Sequence, residues 1–433
     1  MTIEQQTVRR LDRRIVPLFF AAYVVNFLDR VNVGFASLQM NADLGFGPAV
    51  YGLGAGIFFI GYFLFEVPSN MVLARVGPRW WLARIMATWG VVSAATAFVR
   101  TPEQFYLARF LLGVAEAGFV PALLVYIAAW YPENHRAGAV ARIWSATAIA
   151  IVLGGPLSGA LLRLDGVAGL AGWQWMFLVE AVPAVLLGLA LPLLVTDRPD
   201  RARWLTSEQR AWLTAELARE QAARRAAGAR HDAWAAVREP RVWVLGLLYF
   251  CLGIGFFGIS LWLPQLVRQL SGLSDTTTSL VSALPFLCAT TAMIATSRWS
   301  DRTGERRLPV IAGCLVGAAG FAATGQLAHP VAALVALTVG AMSLWSVIGV
   351  FWQLPGAFLS GAAATIGVAV INACGSLGGF AGPYWIGVLR GNDAGFGPAL
   401  LGIAAALLVA AAIAALLRPP QRALAPAPAA SLT

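Results

Sequence analysis

Asp29 and Arg30 are adjacent inside an otherwise apolar stretch, residues 15–38, and Arg109 and Glu116 stand seven apart in another, residues 103–130. A charge near the centre of a membrane helix costs roughly 2.5–3.5 kcal/mol on insertion scales, so such groups face a watery cavity or a partner and mark a transport path. Seven residues make close to two helical turns, which sets Arg109 and Glu116 on one face. Counted at about 1.5 Å per residue, Asp29, Arg30 and Glu116 fall near the midplane and Arg109 in the outer half. The chemistry of two acids and two arginines in one slab is anion recognition coupled to protonation. An arginine offers a permanent planar fork matched to a carboxylate, and a buried carboxylic acid changes charge when its surroundings change. A proton arriving on an acid frees arginine charge for a substrate carboxylate. The plainer alternative, two salt bridges that only fix helix packing, is expensive for structure alone, because buried pairs often fail to stabilise.

The elements that must position these groups are membrane helices. The chain of 433 residues is 59% hydrophobic and 12% charged, with mean hydropathy +0.71, an apolar share above that of ordinary soluble domains. The surplus falls into stretches long enough to span a hydrocarbon core of roughly 30 Å. Twelve are expected, near 15–38, 49–73, 80–99, 103–130, 136–162, 172–195, 241–269, 277–299, 306–327, 331–354, 357–388 and 394–417. The fold class is therefore an all-α membrane protein of two six-helix bundles. The organisation reads as an N-terminal tail (1–14), a first bundle (15–195), a linker (196–240), a second bundle (241–417) and a C-terminal tail (418–433). Thr206-Ser207-Glu208-Gln209 has the form of a capping box and predicts a surface helix in the linker, running to about Arg225.

The net charge of +10 invites a nucleic-acid reading that its distribution removes. All 31 basic residues are arginine, and about 25 lie in the tails, in even-numbered loops or in the span ends beside them. The exceptions are Arg100, Arg163, Arg268 and Arg390 at odd-numbered loops and Arg30 and Arg109 deep within spans. Such asymmetry is the positive-inside rule, and it places both termini in the cytoplasm. The first apolar run is too long for a cleavable leader and follows a basic tail. Cys251, Cys288, Cys314 and Cys374 all fall within expected helices, as packed thiols rather than disulfides or metal ligands. The three histidines, His135, His231 and His329, are expected in loops, which leaves no histidine proton relay.

The two halves repeat. Arg75-Val76-Gly77-Pro78-Arg79 and Arg302-Thr303-Gly304-Glu305-Arg306 are offset by 227 residues, and so are Gly155-Pro156 and Gly382-Pro383. Two matches at one offset, at different depths, point to two related bundles in parallel orientation enclosing a midplane site.

Ser297-Arg298-Trp299-Ser300-Asp301-Arg302-Thr303-Gly304-Glu305-Arg306-Arg307 resembles the cytoplasmic loop motif of the major facilitator superfamily. Asn26-Phe27-Leu28-Asp29-Arg30-Val31-Asn32, Glu66-Val67-Pro68-Ser69-Asn70, the segment from Arg109 to Phe119, and the segment from Gly378 to Tyr384 resemble its anion:cation symporter branch. Members of that branch move sugar acids, tartrate, phthalate and other carboxylates with protons. The resemblance implies Arg30 as substrate clamp, Asp29 and Glu116 as proton carriers, and Arg109 as the partner that tunes Glu116. It also implies a gate made by Arg75, Arg79, Asp301 and Arg302, although Ala74 stands where the superfamily usually has an acid. That departure leaves Asp301 as the acid of the latch.

The second half offers a different surface. Asn372 falls mid-helix, and Phe256, Phe257, Trp262, Trp345, Phe351 and Trp352 enrich the seventh and tenth spans, with Tyr62 at similar depth in the second. Tyr62, Asn372 and Trp352 complete the expected substrate site; lipid-facing or core packing is the alternative for each ring. Glu66 resembles a branch element that pairs with cytoplasmic arginines, which implies a partner such as Arg136, and Glu180 is expected to be an outer-leaflet packing contact. The reading is a secondary transporter, not an enzyme, that takes up a small organic anion with protons across the cell membrane. It has no cofactor or metal, works as a monomer in the lipid bilayer and has no nucleic-acid partner. Export or exchange is the nearest alternative, and a non-transporting membrane sensor the next.

Overall fold

Proline and glycine punctuate this chain, and the helices begin and end where they stand. The computed structural model describes residues 1–226, 238–355, 361–391 and 395–417. The predicted C-terminal tail, 418–433, lies outside them, as do His231 and the rest of linker segment 227–237. In order the helices are α1 (Ile3–Leu44), α2 (Pro48–Val76), α3 (Pro78–Thr96), α4 (Pro102–Glu116), α5 (Phe119–Trp130), α6 (Glu133–Trp144), α7 (Ala146–Leu162), α8 (Gly172–Leu194), α9 (Ser207–Ala226), α10 (Pro240–Ser271), α11 (Asp275–Thr303), α12 (Arg307–Thr324), α13 (Pro330–Phe351), α14 (Gly361–Arg390) and α15 (Gly397–Leu416). Proline sits in the first turn of α2, α3, α4, α10, α13 and α15, where its missing N–H is not needed. Gly45, Gly272 and Gly304 end α1, α10 and α11 in the left-handed region.

Among the described residues ten spans are long and apolar enough by themselves to cross a bilayer, with α4 and α5 as one. The third span, α3, and the fifth, formed by α6 and α7, complete the twelve expected. Two spans are divided where continuous helices were expected. Glu116 ends α4 because Gly118 takes φ +90°, and α6 gives way to α7 at Ser145. In the other direction, α1 begins at Ile3 instead of near residue 15. A capping box of Thr2 and Gln5 starts it, and Val8, Leu11 and Ile15 are buried, which draws the expected tail into the helix.

The packing repeats as the sequence does. In the first half α1 packs on α7 and α8, α3 on α8 and α4, and α2 on α4; in the second, α10 packs on α14 and α15, α12 on α15 and α13, and α11 on α13. Each pair in one list has its counterpart six spans later in the other. Between halves α2 meets α14, α7 meets α11, and α1 meets α10.

These three seams are built from glycine, and all lie toward the face opposite the linker, here the distal face. A Cβ on Gly52 would stand 2.6 Å from the Pro383 carbonyl oxygen, one on Gly155 2.4 Å from that of Ser279, and one on Gly34 2.9 Å from that of Leu261. Polar contacts reinforce the third seam: the Tyr51 hydroxyl donates to Leu261 O at 2.7 Å, Gln265 Nε2 to Ser37 Oγ at 2.8 Å, and Arg268 to Leu38 O at 2.5 Å. On the linker face, by contrast, Leu64, Phe65, Val67 and Met71 of α2 are exposed. The distal side is thus shut. Gly155→Ala should hold the α7–α11 seam apart and shift the protein toward distal-open states by about 1–3 kcal/mol, the usual scale of coupling between conformations. Alkylation of a cysteine replacing Ser279, which is fully buried in this seam, should rise accordingly.

On the linker face, α9 forms as its capping box predicts: Thr206 N donates to Gln209 Oε1 and Gln209 N to Thr206 Oγ1, each at 3.2 Å. It is fastened to the first half. Arg136 pairs with Glu220 at 2.8 Å, Arg10 donates to Gln209 at 3.0 Å, and the Trp130 and Trp204 rings stack at 5.3 Å. His135 lies in α6 instead of a loop, 2.9 Å from Glu4 of α1.

Candidate functional site

Adjacent residues on a helix point about 100° apart, and Asp29 and Arg30 accordingly serve different neighbours. Arg30 Nε donates to Glu116 Oε1 at 2.5 Å, and Asn26 Nδ2, one turn earlier on α1, donates to the same oxygen at 2.6 Å. Asp29 turns instead toward α3, where Ser93 Oγ donates to its Oδ1, and Asn32 Nδ2 approaches the same oxygen at 3.4 Å. The expected pairing is thereby corrected: Glu116 is held by Arg30, not by Arg109. The reason is the break after Glu116, which puts its carboxylate at the last turn of α4, aimed at α1. Ser69 of α2 spans that break by donating to Ala117 O at 2.7 Å, and a Cβ on Gly118 would collide with the Ser69 hydroxyl.

Arg109 lies deeper in α4, 1% exposed, with its guanidinium 5.1 Å from the centre of the Phe58 ring. Its Nε and Nη1 have no hydrogen-bond partner among the described residues. Asp29 and Glu116 are its electrostatic neighbours. Its charge therefore acts on both acids through space, which is the part of the tuning role that its position supports.

Arg30 is the arginine within reach of solvent. Its side chain is 22% exposed, against 1% for Glu116, and its Nη2 is a buried donor without a protein partner among the described residues. The guanidinium lies 5.1 Å from the Tyr62 ring and 5.9 Å from Phe58, so one face is covered by aromatic carbon while an edge stays unfilled. Tyr62 is thus beside Arg30, as expected. Asn372 and Trp352 stand across from it on the second half. Asn372 Nδ2 approaches Glu66 Oε1 at 3.5 Å, and the Trp352 ring meets Tyr249 edge-on at 4.8 Å. Tyr249 in turn stacks on Phe351 at 4.7 Å. A second run of rings crosses between the halves, Phe59 to Phe257 at 4.3 Å and Phe256 to Trp345 at 4.4 Å. Trp262 does not join them. It is fully buried in the distal seam, donating to Pro383 O at 3.1 Å.

One further expectation is corrected. Glu66 faces Asn372 and not Arg136, because Arg136 is taken by Glu220 of α9. Glu180 is a buried helix contact in the distal half, 6% exposed and accepting from Ser158 Oγ at 3.2 Å, and it also lies beside Asn32 and Asp29. The four gating residues are not brought together. Asp301 pairs with Arg306 of its own loop at 2.8 Å, Arg79 donates to Pro192 O and lies 3.3 Å from Asp197, and Arg75 and Arg302 are exposed. Sequence reasoning did not single out Asn26, Ser93 or Glu180 for the site. Asn26 had a usable signal, since it stands four residues before Arg30 on the same helix face. Among the described residues no group of histidine, cysteine or acidic side chains could hold a metal ion.

The Major Facilitator Superfamily model matches residues 19–383. A putative tartrate transporter of Agrobacterium vitis is 45% identical over 415 residues, 96% of this chain and 92% of that protein. A quinolone resistance transporter of Acinetobacter baumannii is 43% identical, covering 90% of each. Among solved structures, a bacterial homologue of the human lysosomal transporter Spinster, in an inward-facing and unoccupied conformation, superposes with a TM-score of 0.77 at 16% identity, over 92% of this chain and 95% of that one.

Proposed function

The chain belongs to the Major Facilitator Superfamily, a multi-pass membrane transporter and not an enzyme, and from that premise we propose that it takes up a small organic anion together with protons by alternating access. The observation that carries this reading is the Arg30–Glu116 contact of 2.5 Å beside an unpartnered Arg30 Nη2. With Glu116 ionised, the arginine is neutralised. A proton on Glu116 removes that partner, and a substrate carboxylate takes its place on the fork, making two N–H···O bonds in place of one. Asp29, in the field of Arg109, is the second proton carrier. Tyr62, Asn372 and Trp352 flank the body of the anion, which is an aromatic or a hydroxylated acid. The tartrate transporters among the relatives favour a carboxylate cargo.

The linker face carries the arginine excess, so it is the cytoplasmic face of the cell membrane, with both termini there. The protein works as a monomer in the bilayer, and its two six-helix bundles, 15–195 and 241–417, rock about the site. With the distal side shut, the structure is inward-facing, and Asp301 resting on Arg306 is a latch undone. When the cytoplasmic side closes, Asp301 and Arg302 come to the first half near Arg75 and Arg79.

Proteoliposomes test the coupling. A carboxylate chosen by its stabilisation of the purified protein should accumulate in vesicles made alkaline inside and only equilibrate when the two sides share one pH. A pH difference of one unit holds about 1.4 kcal/mol per proton, roughly a tenfold gradient. Uptake indifferent to the imposed pH would sink the symport reading in favour of exchange or export.

A further inference from the structure

Among the buried acids, Glu180 alone has no place in the mechanism above. It lies on α8 between α1 and α7. Asp29 and Asn32 come from α1 and Ser158 from α7, while α3 offers Ser93 to Asp29. Among the described residues no arginine is its electrostatic neighbour. Arg30 is turned to Glu116 and Arg109 acts on Asp29. A carboxylate without a cation in so dry a place costs several kcal/mol unless its charge is removed.

Among Glu180, Asn32 and Asp29 themselves, acceptors go unfilled. Asp29 Oδ2, Asn32 Oδ1 and Glu180 Oε2 are three buried oxygens in one cluster with no partner among the described residues. All are acceptors. A proton on either acid turns one of them into an O–H donor and gives the cluster the bond it lacks. Position adds a direction. Glu180 is about 12 Å along α8 from its distal end, and Asp29 is about 15 Å along α1 from Gln39, which stands level with that end, so Glu180 is slightly the more distal of the two. Ser158, the partner of Glu180, stands between Gly155 and Gly159, which close α7 against α11. Opening that seam would bring solvent to Ser158 and Glu180 first.

We propose that Glu180 is a proton-binding site that carries protons between the distal side and Asp29. The inference rests on the symport reading. In the step itself, the O–H bond of a protonated Glu180 breaks as one forms on an Asp29 carboxylate oxygen. The Glu180 carboxylate left behind takes a proton from the distal solution once the α7–α11 seam opens. Asn32 holds the two acids within reach of each other and is a positioning residue.

Infrared difference spectroscopy of the substrate-free protein, stepped in pH, tests the site whichever carboxylate is carried. Glu180→Gln keeps an oxygen for Ser158. It should remove one protonated-carboxyl band and displace the titration of the band that Asp29→Asn removes. If Glu180→Gln removes no protonated-carboxyl band at any pH, Glu180 is not a proton site. Reconstituted protein then tests the path, with radiolabelled tartrate and benzoate as probes. Uptake driven by a pH gradient should fall at least about tenfold in Glu180→Gln, while exchange at equal pH stays within about twofold, and Glu180→Asp should restore part of the driven uptake. Equal loss of driven uptake and exchange would make the role structural and overturn the proposal. Driven uptake at the wild-type level in Glu180→Gln would overturn the relay alone. Wild-type uptake that ignores the gradient would overturn the symport reading itself.

Discussion

Replacing Arg30 by lysine is expected to abolish high-affinity substrate binding while leaving the protein folded. The lysine ammonium keeps a positive charge near Glu116, so the buried carboxylate is not stranded. Stranding it, as Arg30→Ala would, costs about 3–5 kcal/mol of stability and confuses loss of binding with loss of fold. What lysine lacks is the second N–H of the fork, the role open to Nη2, and the flat face that lies against Tyr62. A charge-assisted hydrogen bond is worth about 1.5–3 kcal/mol, which weakens binding by roughly 10- to 150-fold. Isothermal titration or ligand-induced thermal stabilisation of the lysine variant measures it, and wild-type affinity would remove Arg30 from the clamp.

Glu116→Gln is expected to separate substrate movement from proton movement. Glutamine offers Asn26 and Arg30 an acceptor oxygen where Glu116 Oε1 now sits, so the local geometry persists. Its neutrality fixes the site in the equivalent of the protonated state, able to bind an anion but unable to release a proton. Exchange of labelled for unlabelled substrate at equal pH should continue. The roughly tenfold accumulation that one pH unit can sustain should collapse to simple equilibration. Undiminished accumulation would confine Glu116 to holding α1 against α4.

The span pattern and the six-plus-six repeat are legible because both are carried by long-range features of the sequence: apolar runs and one shared offset. The packing list then follows the repeat pair by pair. The break after Glu116 was not legible, since a glycine inside an apolar run usually leaves the helix intact and only tertiary contact with Ser69 shows why Gly118 departs from it. The resemblance implies Arg109, on the same span, as the partner of Glu116, whereas the break turns the carboxylate across to Arg30. Glu180 illustrates a different limit. Its membrane depth could be counted, but which way it faced depended on the rotation of α8 against α1 and α7, which no spacing in one helix specifies. The residues expected at the gate were legible as a motif, yet their contacts belong to a conformation in which the linker face is closed.

The distal seams join backbone to backbone, a glycine on one side and in each case a carbonyl on the other. A lock of that kind has no stake in the cargo. Side chains around Arg30, Tyr62, Asn372 and Trp352 can be exchanged without altering the surfaces that shut the outer door, whereas almost any addition at Gly52 or Gly155 alters the door and leaves the lining alone. The two properties are therefore separable under mutation. A search for variants with a new diet can leave the seam glycines fixed and randomise the lining, with little risk of breaking the transport cycle in the process.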